Sequence, residues 1–246
     1  MICPRCSTSN TDTYKYCHEC GLKLAKGSEE KKHQADIYTA IGNHSEAIKA
    51  LKSLIEDNPN NASARKNLGH AYYNQGDVDL AIKEFKAALA ITDQYADIPY
   101  ALGMTYYREG NLAQAASYLR QALKVNQNYL SAHYRLGQVL YNLGKLKEAA
   151  HHFNEALRID HGYTSAHFML GMLYTRLDLL DEAEKQFKMV LAETPDNATV
   201  YYHLGVIYYH QENIDQAIAA FKTAVELNPD DQSSKKNLKM LMQLKV

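Results

Sequence analysis

The sequence lacks tryptophan altogether and carries no cysteine after position 20. It also lacks an excess of either charge: 27 Lys and Arg stand against 28 Asp and Glu, a formal net charge of −1. That balance supplies no overall pull toward nucleic acid or an anionic membrane. No run of eighteen apolar residues occurs, so none is long enough for a transmembrane helix. The opening residues, Met-Ile-Cys-Pro-Arg-Cys, lack the apolar stretch behind a basic head that marks a signal peptide, and the cytoplasm is the expected compartment. What is present forms cores. The 246 residues are 46% apolar and 22% charged, with a mean hydropathy of −0.44. Such a composition describes one or two folded, soluble domains and not a disordered chain. The 19 tyrosines and the crowding of all four cysteines at one end invite explanation.

The cysteines read Cys3-Pro-Arg-Cys6 and Cys17-His-Glu-Cys20-Gly21. A two-residue gap lets both thiolates of a pair face one ion while turn N–H groups support the sulfurs. Pro4 stiffens the first turn, and Gly21 gives the second its conformational freedom. A stretch this short cannot bury a core of its own. Zinc binding, worth roughly 10–16 kcal/mol in comparable small sites, would take the core's place. Two disulfides would require an oxidising compartment, and iron of the rubredoxin kind remains the other metal. His18 is surplus once four thiolates are counted. The segment resembles the short zinc ribbons that open many prokaryotic proteins, and zinc held by Cys3, Cys6, Cys17 and Cys20 is the expected cofactor. Such ribbons serve folding, docking or nucleic-acid binding. Residues 1–33 hold six Lys or Arg against four Asp or Glu, too little for a nucleic-acid patch.

Beyond the cysteines the chain repeats itself. Leu-Gly pairs end at Gly69, Gly103, Gly137, Gly171 and Gly205, a step of 34 each time. Three residues later come Tyr72, Tyr106, Leu140, Tyr174 and Tyr208. Twelve later comes alanine in every unit: Ala81, Ala115, Ala149, Ala183 and Ala217. Sixteen later stand Phe85, Leu119, Phe153, Phe187 and Phe221; nineteen later, Ala88, Ala122, Ala156, Val190 and Ala224. Each unit therefore holds two helices split at Gly76-Asp77, Gly110-Asn111, Gly144-Lys145, Asp178-Leu179 or Glu212-Asn213. A glycine inside a helix costs roughly 1 kcal/mol against alanine. Its retention in five units predicts that neighbouring helix backbones approach closely there. Pro59, Pro195 and Pro229 mark places where a second helix must end.

This pattern resembles the tetratricopeptide repeat (TPR) family. The resemblance implies an all-α fold, a right-handed TPR superhelical solenoid of antiparallel helix pairs preceded by the small zinc ribbon. The expected organisation is a ribbon over 1–24, a linker over 25–27 and the solenoid over 28–231, closed by a capping helix over 232–246. Its units are a degenerate repeat 28–61, then 62–95, 96–129, 130–163, 164–197 and 198–231. The degenerate unit keeps Tyr38, Gly42, Ala47, Leu51, Leu54 and Pro59 in register, with Gln34-Ala35 in place of Leu-Gly. Where the family carries a tryptophan this chain has Arg65, Pro99, His133, His167 and Tyr201. The terminal stretch sets Leu238, Leu241, Met242 and Leu244 among lysines, as a helix covering the last repeat would.

In the family the first helices line a concave groove, and carrying that geometry over selects the candidate binding residues. They are Lys66, His70, Tyr73 and Asn74; Tyr100, Met104, Tyr107 and Arg108; Tyr134, Gln138, Tyr141 and Asn142; Phe168, Met172 and Arg176; and Tyr202 and Tyr209. Aromatic bodies bury area there, while hydroxyls and amides satisfy a peptide's backbone. The family's clamp for chaperone C-termini does not form, since only Lys66 and Arg135 match its five positions from one starting unit and Lys32 and Asn67 from the unit before. His133 and His167 read as aromatic fillers of the tryptophan slot. No nucleophile–base set, phosphate loop or paired acids emerge, so no enzyme is expected. The expected function is a protein-interaction adaptor holding a partner's peptide or helix. A self-assembling scaffold is the first alternative, and nucleic-acid or transcription-complex binding through the ribbon is the second.

Overall fold

The computed structural model describes residues 26–244. Cys3, Cys6, Cys17, Cys20 and the expected ribbon lie outside the described residues. Those described form thirteen helices and no strand: α1 (Lys26–Ala40), α2 (His44–Asp57), α3 (Ala62–Gln75), α4 (Val78–Ile91), α5 (Asp97–Glu109), α6 (Leu112–Val125), α7 (Leu130–Asn142), α8 (Leu146–Ile159), α9 (Thr164–Arg176), α10 (Leu180–Glu193), α11 (Ala198–His210), α12 (Ile214–Leu227) and α13 (Gln232–Leu244). The described residues divide into two compact units, one up to residue 127 with α1–α6 and one from residue 128 with α7–α13. Within each unit the helices pack as consecutive pairs. α1 and α2 make such a pair ahead of the five clear repeats, and α1 begins at Lys26, inside the stretch expected as linker.

The splits inside each pair share one backbone device. Gly42, Gly76, Gly110 and Gly144 stand at φ between 73° and 99°, and Asp178 and Glu212 continue the same 34-residue step at φ 61°. A left-handed residue at this point turns the chain out of the first helix while its amide still bonds back. At Gly76 the N–H reaches the Tyr72 and Tyr73 carbonyls, and the Asp77 N–H reaches Tyr72 O at 2.9 Å. Asparagines then open several helices: Asn43, Asn61, Asn111 and Asn197 each accept a backbone N–H three residues on. Pro59, Pro195 and Pro229 lie two residues past the ends of α2, α10 and α12, where the helix no longer requires their missing N–H.

The glycine of each Leu-Gly pair makes room chiefly for a side chain, and only at Gly103 does a helix backbone, the Ala115 carbonyl 3.2 Å from a built Cβ, also approach. A Cβ built on Gly69, Gly137, Gly171 or Gly205 would fall 2.6 to 2.8 Å from the ring of Phe85, Phe153, Phe187 or Phe221. At Gly103 it would meet Leu119 at 2.7 Å. The large residue sixteen positions on therefore lies flat against bare backbone, and every one of these side chains is buried. The repeated alanines behave as expected, with Ala81, Ala115, Ala149, Ala183 and Ala217 all fully buried. In the second unit α13 closes the stack: Leu241 is fully buried against Ala217 and Phe221. Asp231 caps it, accepting the Ser233 and Ser234 N–H groups and the Ser234 hydroxyl.

Candidate functional site

The first helix of each pair has two faces of different character. One buries the leucine and glycine of the Leu-Gly pair; the other holds half-buried and exposed aromatic and polar side chains. The candidate residues occupy this second face, and each unit ties some of them together.

In the first unit Lys66 Nζ donates to Asp97 Oδ2 at 2.6 Å, linking α3 to α5. The guanidinium of Arg108 sits 4.8 Å from the Tyr73 ring centroid, and its Nη1 donates to Tyr73 O at 2.7 Å. His70 meets Phe85 edge-on at 5.0 Å, and burial first, then Lys66, hold its imidazole below its ordinary pKa against the opposing pull of Asp97. Tyr100, Met104 and Tyr107 are half-buried on α5, and Asn74 is exposed at the end of α3. A cavity of about 350 Å³ opens between Lys66, Asp97, Ser63, Tyr95 and Ile98. The Asp97 Oδ1 atom is buried and accepts no hydrogen bond.

In the second unit Arg176 sits 5.2 Å from the ring of Tyr141, one repeat and one residue away in sequence like Arg108 and Tyr73. A chain of contacts runs along α7: Arg135 Nη1 donates to Gln138 Oε1 at 2.9 Å, and Gln138 Nε2 donates to the Tyr134 hydroxyl at 3.0 Å. Tyr134 also meets Tyr163 edge-on at 5.2 Å. Phe168 contacts Phe187 and His203, and the His203 ring stacks on Phe187 at 5.3 Å. Burial holds the His203 imidazole below its ordinary pKa. Met172 packs against the core of α9–α11 and Tyr202 against Phe221, whereas Asn142 and Tyr209 are exposed.

Sequence reasoning weighed Arg135 only as a clamp position and passed over His203. Both stand two positions before the glycine, a slot filled elsewhere by Asn67, Ala101 and Met169, and that recurrence was the available signal. His133 and His167 are buried, as fillers of the tryptophan slot should be. His133 Nδ1 lies 3.0 Å from His152 Nδ1, and His167 bonds Gln186 and the His161 carbonyl. Among the described residues no group of three or more His, Cys, Asp or Glu is arranged to hold a metal ion, and no helix is long and apolar enough to cross a membrane.

A comparison with curated protein sequences returns no match. Solved structures do match. YrrB, a TPR protein with an unusual peptide-binding site, shares 26% identity and superposes with a TM-score of 0.71 over 78% of this chain and 100% of its own. MamA shares 26% identity, with a TM-score of 0.65 over 72% of this chain and 96% of its own. PilF of Pseudomonas aeruginosa, at 19% identity, shares the fold with a TM-score of 0.71 over 90% of this chain and 98% of its own. Models of the tetratricopeptide repeat match residues 34–96, 100–164, 143–196 and 198–231, and with the helix pairs and their 34-residue turns this shows that the chain belongs to the tetratricopeptide repeat family.

Proposed function

We propose that the chain is a non-catalytic interaction module that holds an extended segment of a protein partner on the exposed face of its first helices. One observation carries this reading: the guanidinium-on-tyrosine stack of Tyr73 with Arg108, repeated at Tyr141 with Arg176. A planar cation packed on a ring loses little further freedom when a ligand arrives, and the ring keeps apolar area for the ligand to cover. Half-buried Tyr100, Tyr107, Tyr134 and Tyr202 extend that area. The peptide-binding site of YrrB, similar over its full length, supports the same use here.

The test is affinity capture from a lysate of the source cells with wild-type protein and a Tyr107→Ala, Tyr141→Ala, Tyr209→Ala variant of unchanged helicity. A polypeptide identified by mass spectrometry, retained by the wild type and released by the variant, is the expected result. Equal recovery by both would sink the reading.

Zinc on Cys3, Cys6, Cys17 and Cys20 forms a second part of the proposal. The purified protein should carry one zinc per chain by elemental analysis, and Cys17→Ser should lose it while the helical signal persists. Self-assembly is a further reading, favoured by Met240 and Met242 of α13, which are 40% and 57% exposed. Mass measured across a concentration series by sedimentation decides it.

A further inference from the structure

The second unit separates its acids from its first helices. α7, α9 and α11 contain no Asp or Glu; their charged residues are Arg135 and Arg176, with histidines besides. Within the helix pairs the helical acids all stand on α8, α10 and α12, the second helices, such as Glu148, Glu184 and Glu226, and Asp160, Asp178, Asp196 and Glu212 lie in the turns. In the first unit the separation fails: α5 carries Asp97, which takes the Lys66 ammonium, and α1 carries Asp36. The candidate face of the second unit is thus cationic and aromatic with no acid of its own helices to neutralise it.

From this charge distribution we infer that the second unit selects an acidic partner segment, an extended peptide in which Asp or Glu side chains alternate with large apolar ones. The inference rests on the groove reading above and names its ligand class. Arg176 is braced on Tyr141 and makes no ion pair among the described residues, so its N–H groups face a ligand carboxylate without displacing one of the protein's own. Arg135 spends Nη1 on Gln138, which fixes its head and leaves further donors. The apolar side chains of the segment would lie on Tyr134, Tyr141 and Tyr209. Two cations on separate helices match acids spaced along a segment better than one terminal carboxylate. They are too few for nucleic acid, whose affinity grows with the number of phosphates neutralised.

The experiment selects a displayed library of random peptides, each anchored through its C-terminus so that no terminal carboxylate is free, on the full chain and on an Arg135→Gln, Arg176→Gln variant with unchanged melting temperature. Expected is enrichment of Asp and Glu beside Leu, Phe or Tyr on the wild type. The double variant should bind the selected acidic peptides about tenfold more weakly, two exposed charge pairs having been removed. Added sodium chloride should weaken the wild type toward the variant. Enriched peptides without acids, or acidic ones bound equally by the variant, overturn the acidic preference and leave groove binding standing. No enrichment at all overturns groove binding with it. Tighter binding of a single-stranded oligonucleotide than of any selected peptide assigns the face to nucleic acid and also overturns the inference.

Discussion

Replacing Gly137 by alanine tests the packing of the repeat most directly. The new Cβ would lie 2.6, 2.8 and 3.0 Å from Cε1, Cδ1 and Cζ of Phe153. Ordinary carbon contacts begin at about 3.5 Å, so the ring must retreat by about 1 Å. Phe153 is fully buried and its ring centroid lies 6.0 Å from that of Tyr134, so the shift pushes the ring into packed surroundings. Overpacking of that kind costs about 1–3 kcal/mol, while alanine regains about 1 kcal/mol of helix propensity. A net loss of about 1 kcal/mol is expected, a fall of roughly 2–4 °C in melting temperature for a chain of this size. The first pair of helices accommodates a methyl in this slot: Ala35, buried to 1%, has Leu51 sixteen residues on, although at Gly103 a leucine, Leu119, still stands 2.7 Å from a built Cβ. Removing the ring edge in a Phe153→Leu background should make Gly137→Ala less costly than in the wild type. Urea unfolding followed by circular dichroism on the four proteins of this cycle gives the coupling. An equal cost in both backgrounds would mean that the ring is not what excludes the side chain.

Other positions make separate demands. Asp178→Gly and Glu212→Gly should each raise stability by about 1 kcal/mol, because both hold φ 61°, which glycine adopts without a Cβ penalty; a lower melting temperature would refute this. His203 prefers the neutral form when folded, so the unfolded chain takes up its proton first as pH falls. Its contribution is present above the ordinary histidine pKa and is lost as pH falls through the lower folded value, with a slope of at most about 1.4 kcal/mol per pH unit. His203→Phe keeps the stack on Phe187 and should flatten the decline in stability between pH ~7 and ~5; an identical decline in both proteins would remove His203 as its source. Asp231→Ala should loosen α13 by about 1 kcal/mol, seen as faster hydrogen exchange of its amides while α7–α12 stay protected. The Ser234 hydroxyl first, and then two backbone N–H groups, hold the Asp231 carboxyl below its usual range, so the cap should persist into mildly acid solution.

Much of the fold was legible because each repeat meets the same steric problem and solves it with similar residues. The split points were readable even at Asp178 and Glu212, since the 34-residue step placed them without a glycine to mark the turn. The reason for the Leu-Gly glycine was not. A glycine near a conserved alanine fits either two backbones in contact or a ring lying on backbone, and the sequence periodicity is the same for both. A partial clue lay in the partner: wherever position sixteen is phenylalanine the slot is glycine, and the one alanine at that slot, Ala35, has leucine sixteen on, but Gly103 keeps glycine opposite Leu119.

The candidate face was legible residue by residue and illegible in its pairings. A single repeat shows which side of the first helix a residue occupies, but lateral neighbours belong to successive repeats. Their sequence offset is the period plus or minus the few residues by which adjacent first helices are staggered. Tyr73 with Arg108 and Tyr141 with Arg176 fall at 35, and Lys66 with Asp97 at 31. Thr175 with His210 has the same offset of 35, but without a ring and a guanidinium the slot cannot stack in that way. The chemistry of the face is therefore set by which residue types coincide one period apart. Both units set a guanidinium on a tyrosine, but the first also neutralises Lys66 with Asp97, while the second has no acid on any of its first helices. A backbone repeated every 34 residues thus carries first helices whose charge differs between the two units.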